Sequence, residues 1–163
     1  MHAPNGRLKI GDFGFAKRTA DNLTTTCGTL EYVAPEILGK GAHGYGPQCD
    51  VWSLGVACYI MLSGTRPYWD ENTTKLLKMI ANPKQRHHFR GRAWDGRSLL
   101  ARSFVDRCLE KDPAKRATMS QLLEDDWLQG LKPVRSGALP PPPHFHLVSL
   151  SVCLSTRLCR SQK

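Results

Sequence analysis

The chain has 163 residues, enough for one domain with a buried core, and carries 23 Lys+Arg against 14 Asp+Glu, a formal net charge of +9. The apolar fraction of 40% is on the low side for a globular domain, while four Trp and five Phe argue against global disorder. No nucleic-acid motif accompanies the charge, and no apolar run is long enough to span a bilayer, so neither nucleic acid nor membrane is an expected partner.

Arg7-Leu8-Lys9-Ile10 alternates polar and apolar and predicts a short strand leading to Asp12; Phe15-Ala16-Lys17 predicts a second. Residues 18 to 33 form a Thr-rich polar stretch with no helical or strand period, and a loop of that length inside a domain is usually functional. Pro35 to Leu38 suits a short helix, because Pro is tolerated in a first turn. Gly39 to Pro47 is a glycine-rich connection. From Cys49 to Ser63 the sequence is apolar nearly all round, which predicts a helix buried on every side and stopped by a left-handed Gly64. Asp70 to Ala81 predicts an amphipathic helix with Leu76, Leu77 and Ile80 facing inward and Pro83 beyond its end. Ser98 caps a predicted helix carrying Leu99, Leu100, Phe104, Val105, Cys108 and Leu109. Thr118 and Gln121 form a capping-box pair for a single last helix through Leu122, Leu123 and Trp127 to Gly130.

Composition then changes. Pro140 to Pro143 reads as a stiff linker, and Leu147 to Arg160 is apolar and Ser-rich. The expected division is a folded unit over residues 1–130 and an unrelated, disordered tail over 131–163. No Asp or Glu follows Asp126. A second basic run, Lys84 to Arg102, is opposed only by Asp95. Such a run attracts acidic partners, and its plainer reading is a solvated basic face.

Six cysteines occur without a Cys-x-x-Cys pair or zinc spacing. Cys58 and Cys108 fall on apolar helix faces and are expected as buried thiols. Together with an N-terminus that lacks a signal-peptide core, this predicts a reducing compartment, the cytoplasm or the nucleus.

The chemistry rests on motifs. Asp12-Phe13-Gly14 puts a carboxylate on a turn beside a predicted strand, a suitable place for a magnesium ligand. Gly28-Thr29-Leu30-Glu31-Tyr32-Val33-Ala34-Pro35-Glu36 follows, then Asp50-Val51-Trp52-Ser53-Leu54-Gly55, then Asp112-Pro113-Ala114-Lys115-Arg116. In this order, over residues 8 to 129, they resemble the C-terminal lobe of a eukaryotic serine/threonine protein kinase. The likeness is greatest to the calcium/calmodulin-dependent group, through Cys27-Gly28-Thr29 and Asp126-Trp127-Leu128. The resemblance implies a mainly α fold with a short β remnant at the N-terminus.

The resemblance also assigns roles. Asp12 is the metal and cofactor ligand, with ATP and Mg2+ as the family's cofactors. Gly28, Thr29, Leu30, Glu31 and Tyr32 belong to the loop that docks the protein substrate. Thr29 matches the position that favours Ser or Thr over Tyr, and Leu30 departs from the family's usual proline. Thr25 lies at the regulatory phosphorylation position, with Lys17 placed to hold the phosphate; the alternative is an unmodified run of loop threonines. Glu36 and Arg116 match a buried structural ion pair, and Asp50 matches the carboxylate that braces the catalytic loop.

Other parts are missing from the sequence. No His-Arg-Asp loop, no Val-Ala-Ile-Lys strand and no phosphate-covering glycine loop occurs. Gly39 to Gly44 matches Gly-x-Gly-x-x-Gly but follows the activation segment with no strand before it, so it reads as a connection. His87 and His88 lie in a basic stretch without a nearby catalytic partner. The expectation is therefore a truncated kinase domain with no catalytic residue of its own, one that does not retain ATP or Mg2+ and is inactive alone. The alternatives are a non-catalytic module that binds peptides or a partner kinase, and a fragment with no stable fold. Calmodulin is not an expected partner, because the tail lacks a dense basic amphipathic pattern.

Overall fold

The structure, a computed structural model, describes residues 30–39 and 46–130. The expected strands at 7–10 and 15–17, the Gly39–Gly44 motif beyond Gly39, and the tail lie outside the described residues. Among the described residues the chain is helix and loop. A 3-10 turn, Leu30–Tyr32, leads to α1 (Pro35–Leu38), α2 (Gln48–Ser63), α3 (Thr73–Ala81), α4 (Arg92–Asp95), α5 (Leu99–Cys108), α6 (Met119–Leu123) and α7 (Asp126–Gln129).

Helix α2 is the centre. It packs against α5 most extensively and also meets the 3-10 turn and α4. Val51, Trp52, Val56, Cys58 and Tyr59 are all buried along it. Gly55 makes the α2–α5 approach possible, since a Cβ there would lie 2.5 Å from Cys108 Cβ. Gly64 ends the helix with φ 71°, its N–H donating to Ile60 O at 2.7 Å, as the left-handed stop required. Burial on every side does not hold for the last turn. Met61 is 72% exposed, and Leu54, Ala57 and Ile60 are only half-buried, so one edge of α2 is uncovered by the described elements.

Side-chain caps set the starts of α3, α5, α6 and α7. Asn72, not Asp70, opens α3: Asn72 Oδ1 accepts from Lys75 N–H at 3.1 Å, while Asp70 Oδ1 instead accepts the N–H of Asn72 at 2.8 Å. Leu76 and Ile80 are buried as expected; Met79 packs against the core where Leu77 does not. Ser98 caps α5 through Ala101 N–H at 3.2 Å, but Leu99 and Leu100 are exposed at 80% and 48%. Phe104, Val105, Cys108 and Leu109 carry that helix into the core.

The Thr118–Gln121 capping box is present with both of its hydrogen bonds. The single last helix expected from Thr118 to Gly130 is instead two. Asp125 Oδ1 accepts from Trp127 N–H at 3.0 Å and starts α7 afresh, and Asp125 also pairs with Arg107 on α5. A new N-cap tied to a neighbouring helix outcompetes continuation of α6. Helix α4 was not anticipated. It follows Gly91 at φ 88° and exists to insert Trp94, 1% exposed, beneath the basic run.

Candidate functional site

Residues 30–38 form the described part of the expected docking loop. Val33 N–H donates to Leu30 O at 3.3 Å and closes the turn. Tyr32, Val33 and Ala34 are buried. Ser53 Oγ lies 2.9 Å from Tyr32 O and 3.2 Å from Cys49 O, so one hydroxyl on α2 fixes the height of the loop above the helix. Burial pushes the Tyr32 phenol up, the Glu31 charge adds to this, and Arg66 opposes it.

One helical step further, Glu36 meets Arg116 across 80 residues of chain, with guanidinium–carboxylate distances of 2.6 and 2.8 Å. The pair is bidentate, and the Arg116 side chain has no exposed surface. Arg116 also donates to Glu110 O at 2.8 Å and Gln48 O at 2.7 Å, and its guanidinium carbon lies 5.2 Å from the Trp52 ring centre. This arginine therefore joins α1, the start of α2 and the loop before α6 in one node. Asp50, 8% exposed, sits in the first turn of α2, where the N-terminal end of the helix dipole favours a carboxylate.

Trp52 stacks on Tyr68, ring centres 5.9 Å apart and 11° from parallel. Lys111 lies over Tyr68, its Nζ 4.2 Å from the ring centre, and donates to Met79 O at 3.0 Å and to Ile80 O at the end of α3. Burial, with the Arg86 and Arg116 charges, lowers its pKa to about 8. Lys111 was not picked out from sequence because each of its partners comes from a distant element.

On the outer side of the 3-10 turn is an open cavity of about 520 Å³. Glu31 and Tyr32 form one wall; Ile60, Gly64, Arg66 and Trp69 form the other. Arg66 Nε donates to Glu31 Oε2 at 2.6 Å, and the Arg66 guanidinium carbon lies 4.2 Å from the Trp69 ring centre. Sequence reading singled out Glu31 and Tyr32 but not Arg66. Its only signal was a lone basic residue between the Gly64 stop and an aromatic pair.

Of the residues expected at the site, the structure brings Glu36 and Arg116 together and sets Leu30, Glu31 and Tyr32 beside the end of α2. Asp12, Lys17, Thr25, Gly28 and Thr29 lie outside the described residues. Among the described residues no group of three or more His, Cys, Asp or Glu is disposed to hold a metal ion. No described helix is long and apolar enough to cross a membrane. The basic run keeps Lys84, Arg86, Arg90, Arg92 and Arg97 exposed, as a solvated face would; within it Arg86 pairs with Glu110 at 3.0 Å, Arg97 donates to Leu62 O at 2.9 Å, and Arg102 donates to Trp94 O.

Comparison with known proteins accords with this geometry. Residues 1–128 match the model of the protein kinase domain. The chain is 40% identical over 130 residues to bovine serine/threonine-protein kinase 33, covering 77% of this chain and 26% of that protein. It is 41% identical over 128 residues to human serine/threonine-protein kinase H1, covering 76% of this chain and 29% of that one. Rat calcium/calmodulin-dependent protein kinase type 1B is 40% identical over 127 residues, covering 77% and 36%. The chain thus spans roughly a quarter to a third of the length of these relatives. By this match, and by the serine/threonine kinases it resembles, the chain belongs to the protein kinase family.

Proposed function

We propose that these 163 residues carry the protein-docking half of a serine/threonine kinase and do not transfer phosphate by themselves. In this reading the loop from Gly28 to Tyr32 receives a protein segment, Asp12 is the family's metal carboxylate, and Thr25 is the regulatory phosphorylation site. The parent reaction moves the ATP γ-phosphoryl group to a protein hydroxyl. That step needs a base aligned on the hydroxyl and positive charge on the phosphates, and the sequence contains neither the His-Arg-Asp loop nor the Val-Ala-Ile-Lys lysine. The observation that carries the docking role is the Ser53–Tyr32 contact beneath the loop, which holds a protein-facing segment rigidly above a buried helix. Partners are then a protein substrate or a partner kinase. A cytoplasmic or nuclear setting completes this reading, since buried thiols such as Cys58 and Cys108 suit a reducing compartment.

A radiolabelled ATP assay tests the catalytic half of this reading. The purified 163-residue chain is expected to show no turnover on Ser- or Thr-containing protein. Turnover that vanishes on Asp12→Ala would contradict it.

A further inference from the structure

Residues 84–102 hold six Lys and Arg against one acid, Asp95. Before α4 the burial of this stretch alternates outside any helix: Arg86, His88 and Arg90 are exposed, while His87 is buried and Phe89 half-buried. Alternate residues of an extended segment share one side and repeat at about 7 Å. The stretch thus has an aromatic inner side and a basic outer side, and Arg92, the exposed first residue of α4, adds to the outer charge.

The inner side fixes the outer one. The His87 and Phe89 ring centres lie 5.0 Å apart, and Phe89 meets Trp94 at 4.5 Å. Tyr59 Oη donates to His88 O at 2.8 Å, and Trp94 N–H donates to Gly91 O at 3.0 Å. The backbone beneath the charges is tied to α2 and α4, so a partner has little ordering left to impose. Arg86 is engaged by Glu110 at 3.0 Å, whereas Lys84, Arg90 and Arg92 form no ion pair with any described residue.

No acidic segment outside the described residues could cover these cations. Residues 1–29 contain two acids, Asp12 and Asp21, against Arg7, Lys9, Lys17 and Arg18, and no Asp or Glu follows Asp126. A second copy brings the same net charge of +9 and is repelled. Single-stranded RNA is held by exposed aromatic platforms, and here Phe89 and Trp94 pack into the core. An anionic membrane takes an amphipathic helix with a basic face, whereas Arg86 and Arg90 lie outside any helix.

We propose that the outer side of residues 84–92 is a second protein-binding surface, which takes an acidic segment of a partner protein with carboxylates spread along it. The surface shares no residue with the loop read above as docking a protein segment, so either can fail alone.

The test is fluorescence anisotropy of the full 163-residue chain with a labelled peptide of about twelve residues carrying Glu at alternate positions, beside its Gln counterpart. The Glu peptide is expected to bind about tenfold or more tighter at low salt, an advantage that shrinks as ionic strength rises. Arg90→Glu/Arg92→Glu is expected to weaken it about tenfold. The milder Arg90→Gln/Arg92→Gln reads a smaller loss in the same direction without adding acidic charge. Arg157→Glu/Arg160→Glu makes the same change in net charge elsewhere in the sequence and is expected to leave binding within about twofold. Equal binding of the Glu and Gln peptides, or an equal loss from both Arg→Glu pairs, overturns the inference. So does tighter, Arg90- and Arg92-dependent retention of oligouridylate or of phosphatidylserine vesicles.

Discussion

Arg116 has no exposed side-chain surface, and each of its guanidinium nitrogens has a partner. Burying a charge is costly unless its hydrogen bonds are met, and here one carboxylate and the carbonyls of Gln48, Glu110 and Lys111 meet them. Glu36→Gln leaves that charge uncompensated and is expected to lower unfolding stability by about 3 kcal/mol in urea titrations. Arg116→Met is expected to cost more, since three carbonyls lose their donor as well. Sequence alone carried this pair only through motif resemblance, because nothing local to Glu36 points to a residue 80 positions away.

His87 shows what local reading missed at the same scale. It sits in a basic run yet is 2% exposed in its side chain, packed against Tyr59, Tyr68 and Phe89. Its Nδ1 has no hydrogen-bond partner, and its Nε2 lies 2.9 Å from Asp106 Oδ1. Burial lowers its pKa below 6.5, aided by Arg86 and His88 and opposed by Asp106. The unfolded chain therefore takes up a proton here before the folded one does, and stability falls as pH drops below about 6.5. Denaturant titrations between pH 7.5 and 5.5 are expected to show this loss, and His87→Phe to make the slope shallower. An unchanged slope would place the titration elsewhere.

At the scale of elements, Gly55 sets how closely α2 and α5 approach. Gly55→Ala would improve helix propensity by roughly 1 kcal/mol, but its methyl would meet Cys108 Cβ at 2.5 Å and Leu109 at 3.0 Å. Neither neighbour is the free end of a long side chain, so overpacking is expected to win, for a net loss of about 1–3 kcal/mol in thermal or urea unfolding. Helices with strong signals were legible from sequence: α2 from its apolar composition, α5 and α6 from Ser98 and Thr118. The split between α6 and α7 was not, because Asp125 is decided by Arg107 on another helix. Likewise Leu99 and Leu100 fit an apolar pattern but precede the part of α5 that touches α2, and they remain exposed. Helix α4 lay hidden because a basic run dominates the local composition while Trp94 alone is buried.

For the whole molecule, the described residues form one core threaded through Trp52, Trp94 and Phe104, with the 3-10 turn pinned to its central helix. In the proposed reading, that core is what would hold a protein-facing surface in place. We propose that the chain presents a peptide platform without a grip on nucleotide. Calorimetric titration of the purified 163-residue chain with ATP, with and without magnesium, tests this most directly. No saturable heat is predicted in either case; tight, magnesium-dependent binding would contradict the account.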